Sequence, residues 1–271
     1  MTRSFYRAFE DRHRGSRELI IERLKQYAPF LESIMAVISE PRALDLGCGR
    51  GEWLEYLGTL GIGARGVDLD RGMLAACKER GLAVRLQDGL HALQECADEC
   101  LSLVTAFHVV EHIGFEELHR WTEEVLRVLQ PGGLLIYETP NPENIVLGSS
   151  NFYLDPTHQR PLPPALLEFL VEYVGFARWR IARLQEDPKL QEEPSPSLLQ
   201  VLSGISPDYA VIAQKEAPAT VMSVFDEAFT QRWGLTLEEL ASRYDQSLRN
   251  LLERAPRKSR VMKKDRSEDG D

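Results

Sequence analysis

The chain has 271 residues, 43% of them hydrophobic and 27% charged, an ordinary globular composition with length for one domain and flanking segments. Its 32 Lys and Arg against 42 Asp and Glu give a net charge of -10. That balance argues against DNA or RNA as a partner, because a phosphate backbone calls for a positive surface. No apolar run approaches the roughly 18 residues of a membrane span, and "MTRSFYRAFEDRHRG" lacks the apolar core of a secretory signal. The four cysteines, Cys48, Cys77, Cys96 and Cys100, form no Cys-x-x-Cys pair, so reduced thiols and a cytoplasmic location are expected.

In chain order, residues 5–35 read as helix in two pieces with a kink before Pro29, the apolar stripe being Leu19, Ile20, Leu24, Tyr27, Leu31, Ile34 and Met35. Ala43 to Leu46 is a short strand ending in glycines, followed by a helix carrying Trp53, Leu54, Leu57 and Leu60. The alternation then repeats. Strands are predicted at "ARGVDLD", "LAVRLQD", "LSLVTAFHVVEHI", "GGLLIYETP", "FARWRIARLQE" and "DYAVIAQKE", with helices at 71–80, 89–97, 115–129 and 163–174. Strands alternating with helices imply an α/β fold, a mostly parallel sheet covered on both faces. The aperiodic stretch 139–162 is long for a connection and reads as a binding loop or lid. Residues 186–198 read as a solvent-exposed excursion. The expected domains are a helical cap at 1–38, the main domain at 39–216, a helical extension at 217–256 and a charged, disordered tail at 257–271. The extension either packs back or, through 219–256, pairs with another chain.

"ALDLGCGRG" is the most informative segment. Asp45 stands at a strand end, and Gly47, Gly49 and Gly51 follow with one residue between each. The loop lets a ligand approach the backbone at a helix N-terminus. The third glycine comes one position too early for a dinucleotide loop. Asp45 would repel a pyrophosphate and suits a ligand ammonium. Asp68 follows at the second strand's end, where a carboxylate can accept from both ribose hydroxyls. Asp88 follows the third, where its carboxylate and the backbone at Gly89 and Leu90 can read an adenine edge. Three carboxylates along one crevice imply a phosphate-free nucleoside joined to an amino acid.

These segments resemble class I S-adenosylmethionine-dependent methyltransferases. "LDLGCGRG" is similar to their glycine-rich motif, "GVDLD" to their ribose motif and "LQPGGLLIYETP" to their fifth strand, over about residues 40–215. The resemblance implies a Rossmann-like fold with a seven-stranded, mostly parallel sheet, and S-adenosyl-L-methionine as cofactor. Gly47, Gly49 and Gly51 would cradle the methionyl part, Asp68 the ribose and Asp88 the adenine amino group. Phe107 or Met73 would border the nucleoside, and Leu69 would flank the adenine ring. The segment around Tyr6, Arg14, Gly15 and Ser16 is either a lid, with Arg14 meeting the methionyl carboxylate, or a packed outer helix.

After the fourth strand, "FHVVEHIG" places His108, Glu111 and His112 on one face if the segment turns helically. His158, in the 139–162 loop, is the residue able to join them. Two imidazoles and a carboxylate can hold a divalent metal (Mg2+, Mn2+ or Zn2+). The pattern is similar to that of ubiquinone-biosynthesis O-methyltransferases, and to the Glu-x-x-Glu-His plus distant His of small-RNA 2′-O-methyltransferases, with His108 where a glutamate would stand. Without metal, His158 or His112 is the base that takes a hydroxyl proton, with Asp155 a further candidate; or "EH" only orders the loop. Asn141, Asn144, Asn151, Tyr153, Gln159 and Arg160 suit a polyhydroxylated acceptor. "FYRAFEDRHRGSRELI" and "SNFYLDPTHQRPLPP" also resemble methyltransferases found with cell-surface polysaccharide assembly. The expectation is O-methylation of a sugar or glycan, beside glycan-assembly enzymes and peripheral to the inner membrane face. The alternatives are a phenolic or quinone-like acceptor, predicting an apolar slot under 139–162, and a non-catalytic scaffold.

Overall fold

The computed structural model describes residues 15–254; Arg14, Tyr6 and the 257–271 tail lie outside them. Two cap helices, α1 (Arg17–Leu24) and α2 (Ala28–Val37), are joined by a 3-10 turn at Lys25–Tyr27, with Pro29 in the first turn of α2. Proline is tolerated there because that N–H has no intrahelical partner, so the break falls where the sequence placed it.

The core then runs β1 (Arg42–Leu46), α3 (Glu52–Thr59), β2 (Gly63–Asp68), α4 (Arg71–Glu79), β3 (Val84–Leu86), α5 (Gly89–Gln94), β4 (Leu101–Phe107), α6 (Phe115–Val128) and β5 (Leu129–Pro140). It continues with α7 (Ile145–Ser149), α8 (Pro164–Val174), β6 (Arg178–Leu184), α9 (Pro188–Glu192), α10 (Leu198–Ser203) and β7 (Asp208–Gln214). The seven strands stand in the order β3-β2-β1-β4-β5-β7-β6. Only β7 runs against its neighbours, which brings its first residue, Asp208, opposite Pro140 at the end of β5. The strand order reverses between β1 and β4, and the crevice beyond the strand ends at such a switch point is where open α/β sheets hold ligands.

Both faces are buried, so the central strands read as continuous apolar runs. Val104, Leu135, Tyr137 and Val211 face Trp121, Val125, Leu167 and Leu170 of α6 and α8. Leu103, Leu134, Ile136 and Ile212 face Tyr27, Phe30, Leu31, Ile34 and Trp53 of the cap and α3. The predicted cap is therefore part of the main core.

One expectation changes, and one of two alternatives is met. The 186–198 stretch is not a plain excursion. Helices α9 and α10 and the turn after them place Leu190, Val201 and Ile205 in a small core with Leu235 and Leu240, the latter from α13 (Leu237–Arg254). The C-terminal extension, with α11 (Ala219–Met222) and α12 (Asp226–Thr230) before it, thus packs back on its own domain. The far half of α13 leaves Leu248, Leu251 and Leu252 exposed. No described helix is long and apolar enough to cross a membrane.

Candidate active site

The loop Gly47–Gly51 turns on three left-handed glycines, with φ of +72°, +51° and +78° at Gly47, Gly49 and Gly51. Asp45 beneath it is buried and accepts from Thr105 Oγ1 at 2.7 Å. The Asp68 carboxylate spends one direction of each oxygen on the loop, accepting from Gly49 N (2.8 Å) and Asp70 N (2.7 Å). A carboxylate has about four acceptor directions, so capacity remains for two ribose hydroxyls. Helix α3 begins without a side-chain cap, whereas Asp70 caps α4 and Asp88 caps α5. The uncapped start of α3 suits a ligand carboxylate. Leu69, just past the end of β2, holds an apolar side chain 73% exposed. These residues fit the adenosyl donor.

Some donor-side expectations shift. Asp88 accepts from His91 N (3.1 Å) through Oδ1, so it is a helix cap with one oxygen left for a ligand. A Cβ on Gly89 would meet Trp121 at 2.5 Å, so its missing side chain serves helix packing. Met73 is buried on α4. The Phe107 ring packs on Tyr27 (5.5 Å) and Trp53 (5.0 Å), on a strand separated from β2 by β1. It therefore stands one strand removed from the end of β2 that carries Asp68.

Across the crevice, a 3-10 turn at Val110–His112 and the 151–160 segment are stitched together. Gln159 N donates to Glu111 O (2.9 Å) and Gln159 Nε2 to His112 O (2.8 Å). This brings Glu111, His112 and His158 into one group able to share an ion. The surroundings fix both tautomers. His158 Nδ1 lies 2.6 Å from the Phe152 carbonyl, which can only accept, so Nδ1 carries the proton. Thr157 Oγ1 gives its hydrogen to Asp155 (2.6 Å) and so accepts from His112 Nδ1 (2.9 Å). Nε2 is then the ring nitrogen that neither of these two bonds occupies. His158 Nε2 stands 4.0 Å from Glu111 Oε1 and 3.9 Å from Asp155 Oδ2.

His108 departs from expectation: it does not join that trio. Its ring forms a second group with Glu138 and Asp208. Nδ1 is 3.4 Å from Glu111, and Nε2 is 3.2 Å from Glu138 and 3.9 Å from Asp208. Its backbone is left-handed, φ +55°, an uncommon conformation for a histidine. Glu138 also accepts from the buried hydroxyl of Tyr27, and Thr139 Oγ1 donates to Glu111 Oε2 at 3.0 Å. Partial withdrawal from water disfavours the imidazolium, but Glu111, Glu138 and Asp208 outweigh it and hold His108 well above the usual histidine range. Burial likewise raises Glu111, yet His108 brings it below the ordinary carboxylate value. Tyr27, Glu138, Asp208 and Thr157 were missed from sequence, although a glutamate inside the apolar run "LLIYETP" was a usable signal. Two of the asparagines expected to line the pocket are spent on structure. Asn141 donates to Ser206 O, Asn144 to Ser203 O and Ile205 O, and Arg160 lies over the Phe115 ring.

Burial is the main reason that Asp208 is pushed from 3.8 up to about 6; Glu138 adds to the rise, and His108 and Arg23 oppose it. An acid with a raised folded pKa contributes stability below its unfolded value and loses it as pH rises through the folded one. At pH 8 the buried carboxylate therefore costs on the order of 1–3 kcal/mol. The variant Asp208→Asn is expected to melt higher than wild type at pH 8 and to show no such gain near pH 4. Equal shifts at both pH values would contradict this account.

A profile of the methyltransferase domain family matches residues 44–137. A solved S-adenosylmethionine-dependent methyltransferase from Archaeoglobus fulgidus is 31% identical, with a TM-score of 0.68 over 78% of this chain and 100% of that one. A probable S-adenosylmethionine-dependent methyltransferase of Mycolicibacterium smegmatis is 31% identical over 133 residues, 49% of this chain and 51% of that protein. The mitochondrial ubiquinone biosynthesis O-methyltransferase of Mus musculus is 28% identical over 169 residues, 56% of this chain and 45% of that protein. The chain spans about half the length of the curated relatives it matches. It belongs to the class I S-adenosylmethionine-dependent methyltransferases, enzymes that use S-adenosyl-L-methionine as methyl donor.

Proposed function

We propose that the chain transfers the methyl group to oxygen, on a hydroxyl of a sugar or glycan, with His158 as the base. The observation that carries this is the fixed tautomer of His158. With Nδ1–H committed to the Phe152 carbonyl, Nε2 is the proton-accepting atom, and it sits between Glu111 and Asp155. The bound donor supplies an electrophilic methyl group on a sulfonium. The chain's own residues align a hydroxyl on its far side, exclude water and remove one proton. As the new O–CH3 bond forms, the electron pair of the broken C–S bond stays on sulfur and the hydroxyl proton passes to His158 Nε2. Carboxylates, imidazoles and Thr157 around the crevice suit a ligand carrying several hydroxyls. The names of the ubiquinone biosynthesis relatives also speak for transfer to oxygen.

A phenolic or quinone-like acceptor is the second reading. It is favoured by those same relatives and by the exposed apolar rim of the 139–162 loop, where Ile145, Tyr153 and Leu154 face solvent. Methyl-labelled donor offered with sugar nucleotides and oligosaccharides in one series and catechols in another separates the two. Label in catechol alone would overturn the sugar reading.

Glu111, His112 and His158 also fit a divalent ion, since both imidazoles present Nε2 and have Nδ1–H bonded outward, as metal-bound histidines do. Such an ion would acidify a bound hydroxyl. The base reading expects turnover unchanged after chelation. Loss of at least tenfold, restored by manganese or zinc, would transfer the proton-removing role to metal.

A further inference from the structure

The reaction changes charge at one atom: the donor's sulfur is cationic before transfer and neutral after it. A crevice of the same shape can tell the two apart only by its field. The group around His108 supplies one. The His108 ring stands among three carboxylates, Glu111, Glu138 and Asp208, at 3.4, 3.2 and 3.9 Å, an excess of acidic groups whichever form the ring takes. Glu111, Glu138 and Asp208 are all buried, so water screens them little. Glu111 Oε1 is buried without a hydrogen-bond partner among the described residues, a residual acceptor pointed between His108 and His158.

The group also stands next to the glycine loop. The next residue, Val109, packs against Gly47: a Cβ there would lie 2.3 Å from Val109 Cγ2. His108 therefore stands beside the loop that cradles the methionyl part. Its side chain is 42% exposed, whereas those of Glu111 and Glu138 are closed off. Keeping three carboxylates there is costly, as the raised Asp208 shows. Nothing in the packing demands the charge: Tyr27 and Thr139 would bond a glutamine as well as a glutamate.

We propose that the net negative charge gathered around His108 by Glu111, Glu138 and Asp208 makes the crevice prefer the cationic methyl donor to the neutral thioether product. The device would let product leave in the presence of fresh donor. It works on the donor side and does not depend on which acceptor is methylated.

The test is calorimetric binding without acceptor. The wild type is titrated with S-adenosylmethionine, S-adenosylhomocysteine and the amine analogue in which a carbon-borne ammonium replaces the sulfonium. It is expected to hold both cations at least about tenfold tighter than the thioether. Glu138→Gln and Asp208→Asn each replace a carboxylate by a neutral amide with little change of shape. Each should lower the cation-to-thioether ratio about tenfold or less and leave thioether affinity near wild type. Tyr27→Phe keeps every charge and should leave the ratio unchanged. Equal wild-type affinities for cation and thioether would overturn the proposal without any variant. So would folded variants, checked by melting, that weaken all three ligands alike, since that marks the carboxylates as positioning groups. No binding of any adenosyl ligand by the folded wild type would instead count against the donor site itself.

Discussion

Gly47→Ala is expected to weaken donor binding by about 30-fold or more and to lower stability by about 2–4 kcal/mol. Two costs add at this position. A side chain in the left-handed region, φ +72°, costs on the order of 1 kcal/mol. The new Cβ would also sit 2.3 Å from Val109 Cγ2, and a β-branched side chain has few rotamers with which to give way. Relief must come from the backbone of residues 108–112, which carries His108, Glu111 and His112. Damage to the loop thus spreads to the opposite wall of the crevice. Gly61→Ala is the control. Its φ is +78°, but a Cβ there meets nothing within 4 Å, so only the conformational cost applies and donor affinity should hold. Calorimetric titration with S-adenosylmethionine, alongside melting curves, checks both. Equal losses in the two variants would show that the contact with Val109 does not matter.

That coupling between loops explains what the sequence could and could not reveal. Strand-helix alternation and the spacing of Gly47, Gly49 and Gly51 are local features, so the sheet, its flanking helices and the donor crevice were legible before any coordinates. Asp68 and Leu69 were picked out as donor-site candidates by their position after a strand. The charged group around His108 is assembled from four distant segments. Tyr27 comes from the cap, His108 from the end of β4, Glu138 from β5 and Asp208 from the antiparallel β7. No spacing encodes that meeting. The helical-face argument for His108, Glu111 and His112 was half right. A left-handed His108 and a single 3-10 turn send its ring toward Glu138, while His112 turns toward Thr157 and His158. Nor could periodicity say that Asn141 and Asn144 would be consumed in tying the loop to residues 203–206.

His158→Asn should lower kcat by about 10²–10⁴-fold with donor affinity near wild type. Asparagine is the informative replacement because its side-chain amide nitrogen falls near Nδ1 of the histidine it replaces. It can keep the bond to the Phe152 carbonyl, and with it the 151–160 segment, while offering nothing at Nε2. His158→Ala would remove both at once and let the loop shift, confusing a lost base with lost positioning. Once an acceptor is in hand, the variant should lose the acid limb of the wild-type pH–rate profile, because that limb reports protonation of the base. His112→Asn probes the neighbouring ring, 4.7 Å away between centroids and held by Thr157. If His158 alone takes the proton, this second variant keeps the acid limb and loses far less rate. Near-wild-type turnover in His158→Asn would remove His158 from the chemistry, and a flat profile in His112→Asn instead would move the base to His112.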